Sequence, residues 1–359
     1  MRSGYDIIHL GWNKGFNLID LEQWGNNRPK EIQLKLKAPV GVKVVILYPI
    51  WWCFVFVTLM MERWDIAHAI DLESVPPAVI AAKLKRKPVI YDILDIRSSW
   101  DNYDLPLIGL IRRLSIFIDK IFMYYSDCVM LVDEMQPESV NGIPNGNIAV
   151  IYDSPEDKNY TNLKNIPEDK FGDNNPKFTL FYGGVLSSSR ELNLDKAFNA
   201  IKDLRDVKLI IAGYGDLVNE ISELEAKRPE CLQFIGPISH EEILSRTANA
   251  NLLFLLRSPN VVSNKYICGS KFLEAMMCGK PILVNKGTSA AIKALQENCG
   301  IVVDAENTAE IRDAIIMLKG DPDLVKKLSL ASRNAYERKY SWNIMEQKLL
   351  SVYTKLQTK

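Results

Sequence analysis

The chain has 359 residues, which is long for one hydrophobic core and suits two domains. Apolar residues make up 47% and charged residues 25%, as in a folded globular protein. The 44 lysines and arginines balance 44 aspartates and glutamates, so no global charge recruits nucleic acid and any anion site is local. Six scattered cysteines without a C-x-x-C pair, and only three histidines, argue against a zinc or disulfide framework and predict reduced, buried thiols in a cytoplasmic protein.

Short β-branched runs alternate with helical segments along the first 150 residues, a pattern typical of parallel α/β sheets. Helices are predicted at residues 77–86 and 107–125. Strands are predicted in the segments YDIIHLG, KVVILY, WDIAHAI, KPVIYDIL, DCVMLVD and NIAVIYD.

An uncharged run of 18 residues lies between Lys43 and Glu62, near the lower limit for a membrane span. Pro49 divides the run, and the residues before it are predicted to form a strand, which leaves too few residues to cross a bilayer. The favoured interpretation is a buried helix of the α/β domain. A helix in the membrane interface and a true span are the alternatives. The start of the chain shows no apolar segment of the kind found in signal peptides.

A polar stretch from Asp153 to Pro176 is predicted to be a linker. A second series of strands follows it, in FTLFYGG, VKLIIAGYG, LQFIG, ANLLFLL, KPILVN and GIVVD. The fold class is therefore α/β, with two Rossmann-like doubly wound domains that face a central cleft. Ligands of such sheets bind beyond the carboxyl ends of the strands.

The first strand of this second series ends in Gly183 and Gly184, followed by three serines and Arg190. Glycines at a strand-to-helix turn let backbone N–H groups approach a phosphate, and a guanidinium can grip it. An ordinary turn with a surface arginine is the alternative interpretation.

The next two strands also end in glycine. Gly213, Tyr214 and Gly215 follow one strand, and Gly236 follows the other. Each is weak evidence alone, because tight turns often need glycine. Their position at the predicted cleft makes them candidates for donor binding.

The segment ICGSKFLEAMMCGKP predicts a short helix whose N-terminus is Gly269, Ser270 and Lys271. Unpaired N–H groups and the helix dipole favour an anion there, and Lys271 is unfavourable at that end without one. Glu274 lies three residues later on the same face. It could accept both hydroxyls of a ribose while Lys271 and the amides hold a diphosphate. A Lys–Glu pair on an exposed helix face is the alternative.

Together these segments resemble the C-terminal half of the group 4 family of GT-B glycosyltransferases. The resemblance covers residues 178–357 well and the N-terminal half more loosely. It rests on YGGVLSSSREL, IIAGYGDL, LQFIGPISHEEI, GSKFLEAMMCGKPILV and YSWNIMEQKLLSVYTKL, and in the first half on WDIAHAIDLESVPPAVIAAKL, PVIYDILDI and SDCVMLVDE.

The resemblance implies a retaining transferase that moves a sugar from a nucleoside-diphosphate sugar to a glycan or lipid-linked acceptor, without a metal ion or other cofactor. Glu274 matches the family's ribose-binding glutamate, and Arg190 takes the place of a diphosphate-binding lysine. Residues 1–165 would then be the acceptor-side domain and residues 166–340 the nucleotide-sugar domain, with a helix at 341–359 that packs back on the first.

As the glycosidic bond opens, cations and amides around the diphosphate stabilise the leaving group, and Arg190 and Lys271 are assigned this role. His68 and Asp71, after the strand WDIA, are candidates at the mouth of the cleft, and a structural role is the alternative for both. A double displacement needs a carboxylate about 5 Å across the sugar ring, and the sequence offers no clear candidate.

The chain departs from the family pattern at several positions. Val185 stands where an arginine often follows the first glycine loop, and Tyr266 stands where a second glutamate is usual, so that Lys271 is expected to supply the missing cation. A histidine common in the first domain falls on Leu94, which leaves Asp95 as an acceptor-side candidate.

The segment SGYDIIHLGW resembles the family's second strand, so the first strand, its Gly-rich loop and the first helix are expected to be missing. Two other functions therefore stay open, a non-catalytic GT-B subunit that binds a partner or membrane, and a nucleotide-sugar epimerase. The apolar run at 50–61 and the basic KLKRK at 83–87 also indicate peripheral contact with the cytoplasmic face of an anionic membrane.

Overall fold

The computed structural model describes residues 4–12, 29–37, 41–95, 108–139, 142–143, 146–157 and 178–358. The strands are β1 (Ile8–Trp12), β2 (Lys30–Leu34), β3 (Ala67–Ile70), β4 (Val89–Ile93), β5 (Cys128–Leu131), β6 (Ile148–Val150), β7 (Phe178–Val185), β8 (Val207–Tyr214), β9 (Leu232–Phe234), β10 (Leu252–Leu255), β11 (Ile282–Asn285) and β12 (Gly300–Val303).

The α-helices are α1 (Tyr48–Met61), α2 (Asp71–Lys85), α3 (Ile108–Tyr125), α4 (Gln136–Ser139), α5 (Leu194–Ile201), α6 (Val218–Lys227), α7 (His240–Asn249), α8 (Val262–Tyr266), α9 (Ser270–Met277), α10 (Ser289–Gln296), α11 (Thr308–Gly320), α12 (Pro322–Ala335) and α13 (Trp342–Gln357). Short 3₁₀ helices cover Gly41–Leu47 and Ser188–Arg190, and a π-helical turn covers Tyr336–Tyr340.

The strands form parallel sheets. One sheet has the order β3-β4-β5-β6 and another the order β12-β11-β10-β7-β8-β9, while β1 and β2 pair with each other. Strand β10 is apolar throughout and β11 is apolar except for Asn285, and both are buried, as parallel sheets covered by helices require. The predicted α/β architecture is confirmed. Most of the predicted linker, at residues 158–177, lies outside the described residues.

The predicted strand KVVILY is wrong. Residues Gly41–Leu47 form a 3₁₀ helix that leads directly into α1, and Pro49 lies in the first turn of α1. Proline fits the first turn of a helix because no intrahelical partner exists there for its missing N–H. Pro49 therefore starts a helix here and does not end an element.

The prediction that this helix is buried in the core is also wrong. Residues Val44–Met61 form a helical run of 18 residues with a mean hydropathy of 2.2, of which 22% is buried. By length and composition alone this run could cross a membrane, contrary to the prediction that it is too short. Core helices and signal sequences pass the same test, so it is weak evidence for a span.

Helix α2 starts at Asp71, earlier than predicted, and contains Pro76 and Pro77. Pro77 has no N–H for the carbonyl of Glu73 four residues before it. The indole N–H of Trp52 donates to this carbonyl at 2.9 Å. Pro77 thus leaves the Glu73 carbonyl available to accept the hydrogen bond that links α1 to α2.

A buried ion pair joins the two domains. Asp133 follows β5 and has no exposed surface, and its Oδ1 accepts from the Nζ of Lys293, on α10, at 2.8 Å. Its Oδ2 accepts from the hydroxyl of Ser289 at 2.8 Å and from the backbone N–H of Cys268 at 2.9 Å. The Lys293 ammonium also lies 5.5 Å from the centroid of the Tyr152 ring. Each charge is therefore compensated only while the other is present.

The C-terminal helix α13 contacts the first domain. The hydroxyl of Tyr353 lies 2.6 Å from Nδ1 of His68, and Lys355 donates to the side chain of Asn147 at 3.2 Å. Through these contacts the end of the chain crosses back to the N-terminal strands.

We expect Lys293→Met to lower the free energy of unfolding by about 3–5 kcal/mol, because it leaves the Asp133 carboxylate buried without its cation. Equilibrium unfolding in urea measures this loss. Lys87→Met is the matched control, because Lys87 forms an exposed pair with Asp65 at 2.9 Å. The control should cost less than about 1 kcal/mol. A similar small loss at Lys293 would contradict the buried clamp.

Candidate active site

The candidate site lies where the strand order of the second sheet reverses. The chain forms β7, β8 and β9 in one direction and then returns to place β10, β11 and β12 on the other side of β7. Open parallel sheets bind ligands at this point, beyond the carboxyl ends of the strands. Arg190 follows β7, Arg257 follows β10, and Gly269 precedes α9.

Lys271 lies against the end of β7. A Cβ atom at Gly184 would lie 3.3 Å from Cε of Lys271. The Nζ of Lys271 donates to both carboxylate oxygens of Glu274, at 2.9 Å and 3.1 Å. Nε2 of His240, at the start of α7, lies 3.2 Å from the same carboxylate. These contacts bring a lysine, a glutamate and a histidine together beside Gly184, at the end of β7.

Glu274 is only 5% exposed. The alternative of a Lys–Glu pair on an exposed helix face is therefore wrong for the glutamate. A buried carboxylate is costly unless it is paired, and Lys271 supplies the pairing charge. The predicted helix is confirmed, since α9 begins at Ser270.

The turn before α9 requires glycine. Gly269 has φ +79°, a conformation that side chains disfavour, and a Cβ atom there would lie 2.9 Å from Nη1 of Arg257. No side chain caps the first turn of α9 in the described part of the chain. The guanidinium of Arg257 lies beside this N-terminus.

Two glycines of the neighbouring strand permit close packing. A Cβ atom at Gly213 would lie 1.8 Å from the carbonyl oxygen of Gly184, and one at Gly215 would lie 2.0 Å from that of Leu186. Tyr214, between them, is exposed. The N–H of Gly213 donates to the carbonyl of Gly236 at 2.8 Å. The structure thus gives these glycines a role in shaping the edge of the site, and their contact with a donor stays a prediction.

Sequence reasoning missed Asp153, which follows β6 of the first domain. The residues after it are fastened to the second domain, because Arg333 donates to both oxygens of Asp157 at 2.7 Å and 2.9 Å and the Tyr336 hydroxyl donates to the carbonyl of Pro155 at 2.5 Å. Along this path Asp153 lies close enough for the charges of Glu274 and Lys271 to act on its carboxyl.

The Asp153 residue as a whole is exposed, but its carboxyl is partly desolvated by its neighbours, and this desolvation and then the nearby negative charge of Glu274 raise its pKa. Lys271 and His240 act in the opposite direction. Two carboxyl groups, one from each domain, are thus under the influence of the same lysine. A lone aspartate in a polar segment gave no signal for this in the sequence.

Sequence reasoning also missed Arg257. Its Nε is buried and has no hydrogen-bond acceptor among the described residues. Burial lowers the pKa of its guanidinium, and the nearby charge of Arg190 lowers it further, while the Tyr182 hydroxyl opposes the change. A positive residue directly after a buried strand was the available signal.

The first-domain candidates form a separate cluster. His68, on β3, uses both ring nitrogens, with Tyr353 at 2.6 Å and Asp92 at 3.0 Å. Asp71 has φ +53°, and its Oδ1 accepts from the N–H groups of Leu94 at 3.0 Å and Asp95 at 3.3 Å. The contacts of the described residues do not join this cluster to Lys271 or Arg190, so a catalytic role for His68, Asp71 and Asp95 stays a prediction.

All six cysteines lie in the described ranges and none forms a disulfide. Five are buried as predicted, but Cys53 is exposed on α1. Within the described part of the chain, no group of three or more His, Cys, Asp or Glu side chains is placed to hold a metal ion.

Comparison with known families gives a match in the second domain. Residues 164–338 match the family model of glycosyl transferases group 1. This stretch contains the strand ends and the helix that build the site.

Two curated relatives are mannosyltransferases. The chain is 25% identical over 149 residues to a GDP-mannose-dependent monoacylated alpha-(1-6)-phosphatidylinositol monomannoside mannosyltransferase of Corynebacterium glutamicum. The matched stretch covers 41% of this chain and 39% of the relative. It is 24% identical over 224 residues to a phosphatidyl-myo-inositol mannosyltransferase of Mycobacterium leprae, and this match covers 60% of this chain and 54% of the relative. The matches therefore span about two fifths and about half of these relatives.

Two solved structures share the fold along nearly the whole chain. Sucrose-phosphate synthase from Thermosynechococcus elongatus superposes with a TM-score of 0.73 at 15% identity, over 99% of this chain and 90% of that one. Anabaena HepE, in complex with UDP and glucose, superposes with a TM-score of 0.73 at 14% identity, over 98% and 100%. Residues 164–338 thus resemble glycosyl transferases group 1, and the chain as a whole shares the two-domain fold of these two solved structures.

Proposed function

We propose that this protein is a glycosyltransferase that moves a sugar from a nucleoside-diphosphate sugar to a glycan or lipid-linked acceptor, with retention and without a metal ion. The observation that carries the proposal is the Lys271–Glu274 pair beside Gly184. It places a cation, a buried acceptor and a helix start without a side-chain cap at the strand reversal. The mannosyltransferase and UDP-bound relatives support the same class of donor.

When the donor binds, Lys271 and Glu274 give up their contact with each other for contacts with the donor. Ribose hydroxyls donate to the Glu274 carboxylate, which releases the Nζ of Lys271 towards the diphosphate. Arg190, on the 3₁₀ turn after β7, and the N–H groups at the start of α9 complete a positive surface. These groups are preorganised, so they stabilise the charge that develops on the diphosphate as the sugar leaves.

Asp153 is the second carboxyl near the site. Its pKa is raised, so it carries a negative charge less readily than a free aspartate. We assign it no nucleophilic role. Leaving-group stabilisation therefore remains the main catalytic device of the proposal.

We expect Lys271→Ala to lower kcat by about 10²–10³, with a smaller change in KM, because its contact strengthens as the leaving group becomes charged. Release of UDP or GDP from the matching sugar nucleotide measures turnover. Lys286→Ala is the matched control, since Lys286 pairs with Asp304 on the surface. EDTA should leave the rate unchanged.

Activity that is lost in EDTA and restored by Mg²⁺ or Mn²⁺ would refute the metal-free mechanism. Wild-type protein that binds UDP or GDP but turns over no donor would favour a non-catalytic subunit.

We expect Asp153→Asn to bind nucleoside diphosphate increasingly better than the wild type as the pH rises. The folded pKa of Asp153 lies above its usual 3.8, so the wild-type carboxyl ionises as the pH passes this raised value and then repels the ligand. Asparagine stays neutral. The ratio of the two affinities isolates this effect, because Glu274, Lys271, His240 and the ligand titrate in both proteins. Calorimetric titration at several pH values gives the ratio, and a constant ratio would contradict the assignment.

We also propose that α1 lies on the surface of a membrane, where a lipid-linked acceptor would be found. Ile46, Ile50, Cys53, Val57 and Met61 are exposed and spaced along one face of the helical run. We call these five residues the apolar stripe. The opposite face is fixed to the protein, since Trp51 and Val55 are buried. A helix held in this way favours binding in the plane of the interface over spanning it.

Part of the basic segment at the end of α2 is already neutralised. Lys83 lies 3.6 Å from Asp127, and Lys87 lies 2.9 Å from Asp65. Arg86 remains exposed at the end of α2. The apolar stripe should therefore contribute more to membrane binding than electrostatic attraction does.

We expect wild-type protein to co-sediment with vesicles of phosphatidylcholine and phosphatidylglycerol, with a modest loss at high salt. Val57→Asp should reduce binding about tenfold or more, since returning one apolar side chain to water costs about 1.5–3 kcal/mol. Leu330→Asp, an exposed leucine on α12, is the matched control and should bind normally. Wild-type protein that stays in the supernatant at low salt would contradict the docking surface.

A further inference from the structure

Arg257 is a cation without a counter-ion, enclosed beside the candidate site. It follows β10, next to β7 at the strand reversal. Its Nε is shielded from solvent and has no acceptor among the described residues, although the residue as a whole keeps some exposed surface. No ion pair joins it to an acid of the described ranges.

The surroundings of Arg257 are those of an anion site. Nη1 lies 2.9 Å from the position that a Cβ atom would take at Gly269, directly before α9. The Tyr182 hydroxyl and the charge of Arg190 act on the guanidinium from the β7 side. A Cβ atom at Gly184 would lie 3.7 Å from the Tyr182 hydroxyl and 3.3 Å from Cε of Lys271. Gly184 therefore lies close both to Lys271 and to Tyr182, a residue that acts on Arg257.

A guanidinium without a counter-ion costs stability in such a place, although the Tyr182 hydroxyl accepts a hydrogen bond from it. Removing a cation from water is unfavourable unless an anion or several acceptors replace the water. A nearby arginine increases the cost, and the lowered pKa of Arg257 reflects both effects. An anionic ligand bound here would remove this cost.

We propose that Arg257 is a further donor-binding residue, whose guanidinium donates hydrogen bonds to the diphosphate from the side of the Gly269 turn. The inference rests on the proposed function, and it names a third cation for the same leaving group. The planar fork of arginine matches two phosphate oxygens, whereas Lys271 offers a single charged atom.

The bond changes define what Arg257 stabilises. The bond between the anomeric carbon and the diphosphate oxygen breaks, and its electron pair leaves with that oxygen. The hydroxyl oxygen of the acceptor forms the new bond to the anomeric carbon, and its proton passes to the released diphosphate. The diphosphate thus gains negative charge in the transition state, and a guanidinium already in contact with it lowers the barrier.

The test compares wild-type protein with Arg257→Met in thermal unfolding and calorimetric titration, with inorganic pyrophosphate, UDP and GDP as ligands. Without ligand, the variant should have an unchanged or higher Tm, because an apolar side chain replaces a buried unpaired charge. Its affinity for pyrophosphate, and for the nucleotide that the wild type binds, should fall about 10- to 100-fold. A merely structural arginine would give the opposite pattern, a lower Tm with unchanged affinity.

Two further variants sharpen the test. Arg205→Met makes the same change at an exposed arginine before β8 and should alter neither quantity. Arg257→Lys keeps the charge but loses the fork, and should weaken pyrophosphate binding about tenfold. If Arg257→Met does not fold, Arg257→Lys decides the question, and wild-type affinity in that variant would overturn the inference.

The outcomes separate this inference from the proposed function. If UDP or GDP binds equally well to wild type and Arg257→Met, the role of Arg257 is refuted and the proposed function stands. If pyrophosphate binds the wild type tightly and Arg257→Met weakly while neither nucleotide binds, the anion site stands and the proposed function fails.

Discussion

The buried ion pair of Asp133 and Lys293 is the constraint on which the rest of the structure depends. It fixes the end of β5 in the first domain against α10 in the second. The same carboxylate also accepts from the N–H of Cys268, the residue before Gly269. One buried charge therefore sets both the approach of the domains and the turn from which α9 starts. Disturbing the domain contact would move the helix N-terminus that holds Lys271.

That turn gathers more positive charge than the protein neutralises. Lys271 is paired with Glu274, but Arg257 has no acidic partner among the described residues, and Arg190 stands close enough to affect it. Asp153, the other carboxyl nearby, is shifted towards its neutral form. The imbalance is local, because the chain as a whole has no net charge. A site that is costly when empty and compensated when an anion enters is suited to a ligand whose charge grows during reaction.

The sequence predicts those parts of this structure that depend on neighbouring residues. The strands of the second domain and the start of α9 follow from apolar runs and from the glycine before Ser270, because these signals act within a few residues. The segment around Pro49 misled prediction, since proline fits a helix start as well as a break. Arg257 and Asp153 were missed for another reason. Their roles come from contacts with residues distant in the chain, such as Gly269 and Glu274, which no local pattern encodes.

Two surfaces of different chemistry are thus connected through contacts within and between the domains. The apolar stripe of α1 belongs to the first domain and is fixed to α2 by the bond from Trp52 to the Glu73 carbonyl. The positive turn belongs to the second domain and is tied to the first through Asp133. A second tie, from Tyr353 of α13 to His68 of β3, lies elsewhere on the domain contact. If the stripe binds a membrane, these contacts set the height of the donor site above the lipid surface in the arrangement that the structure shows.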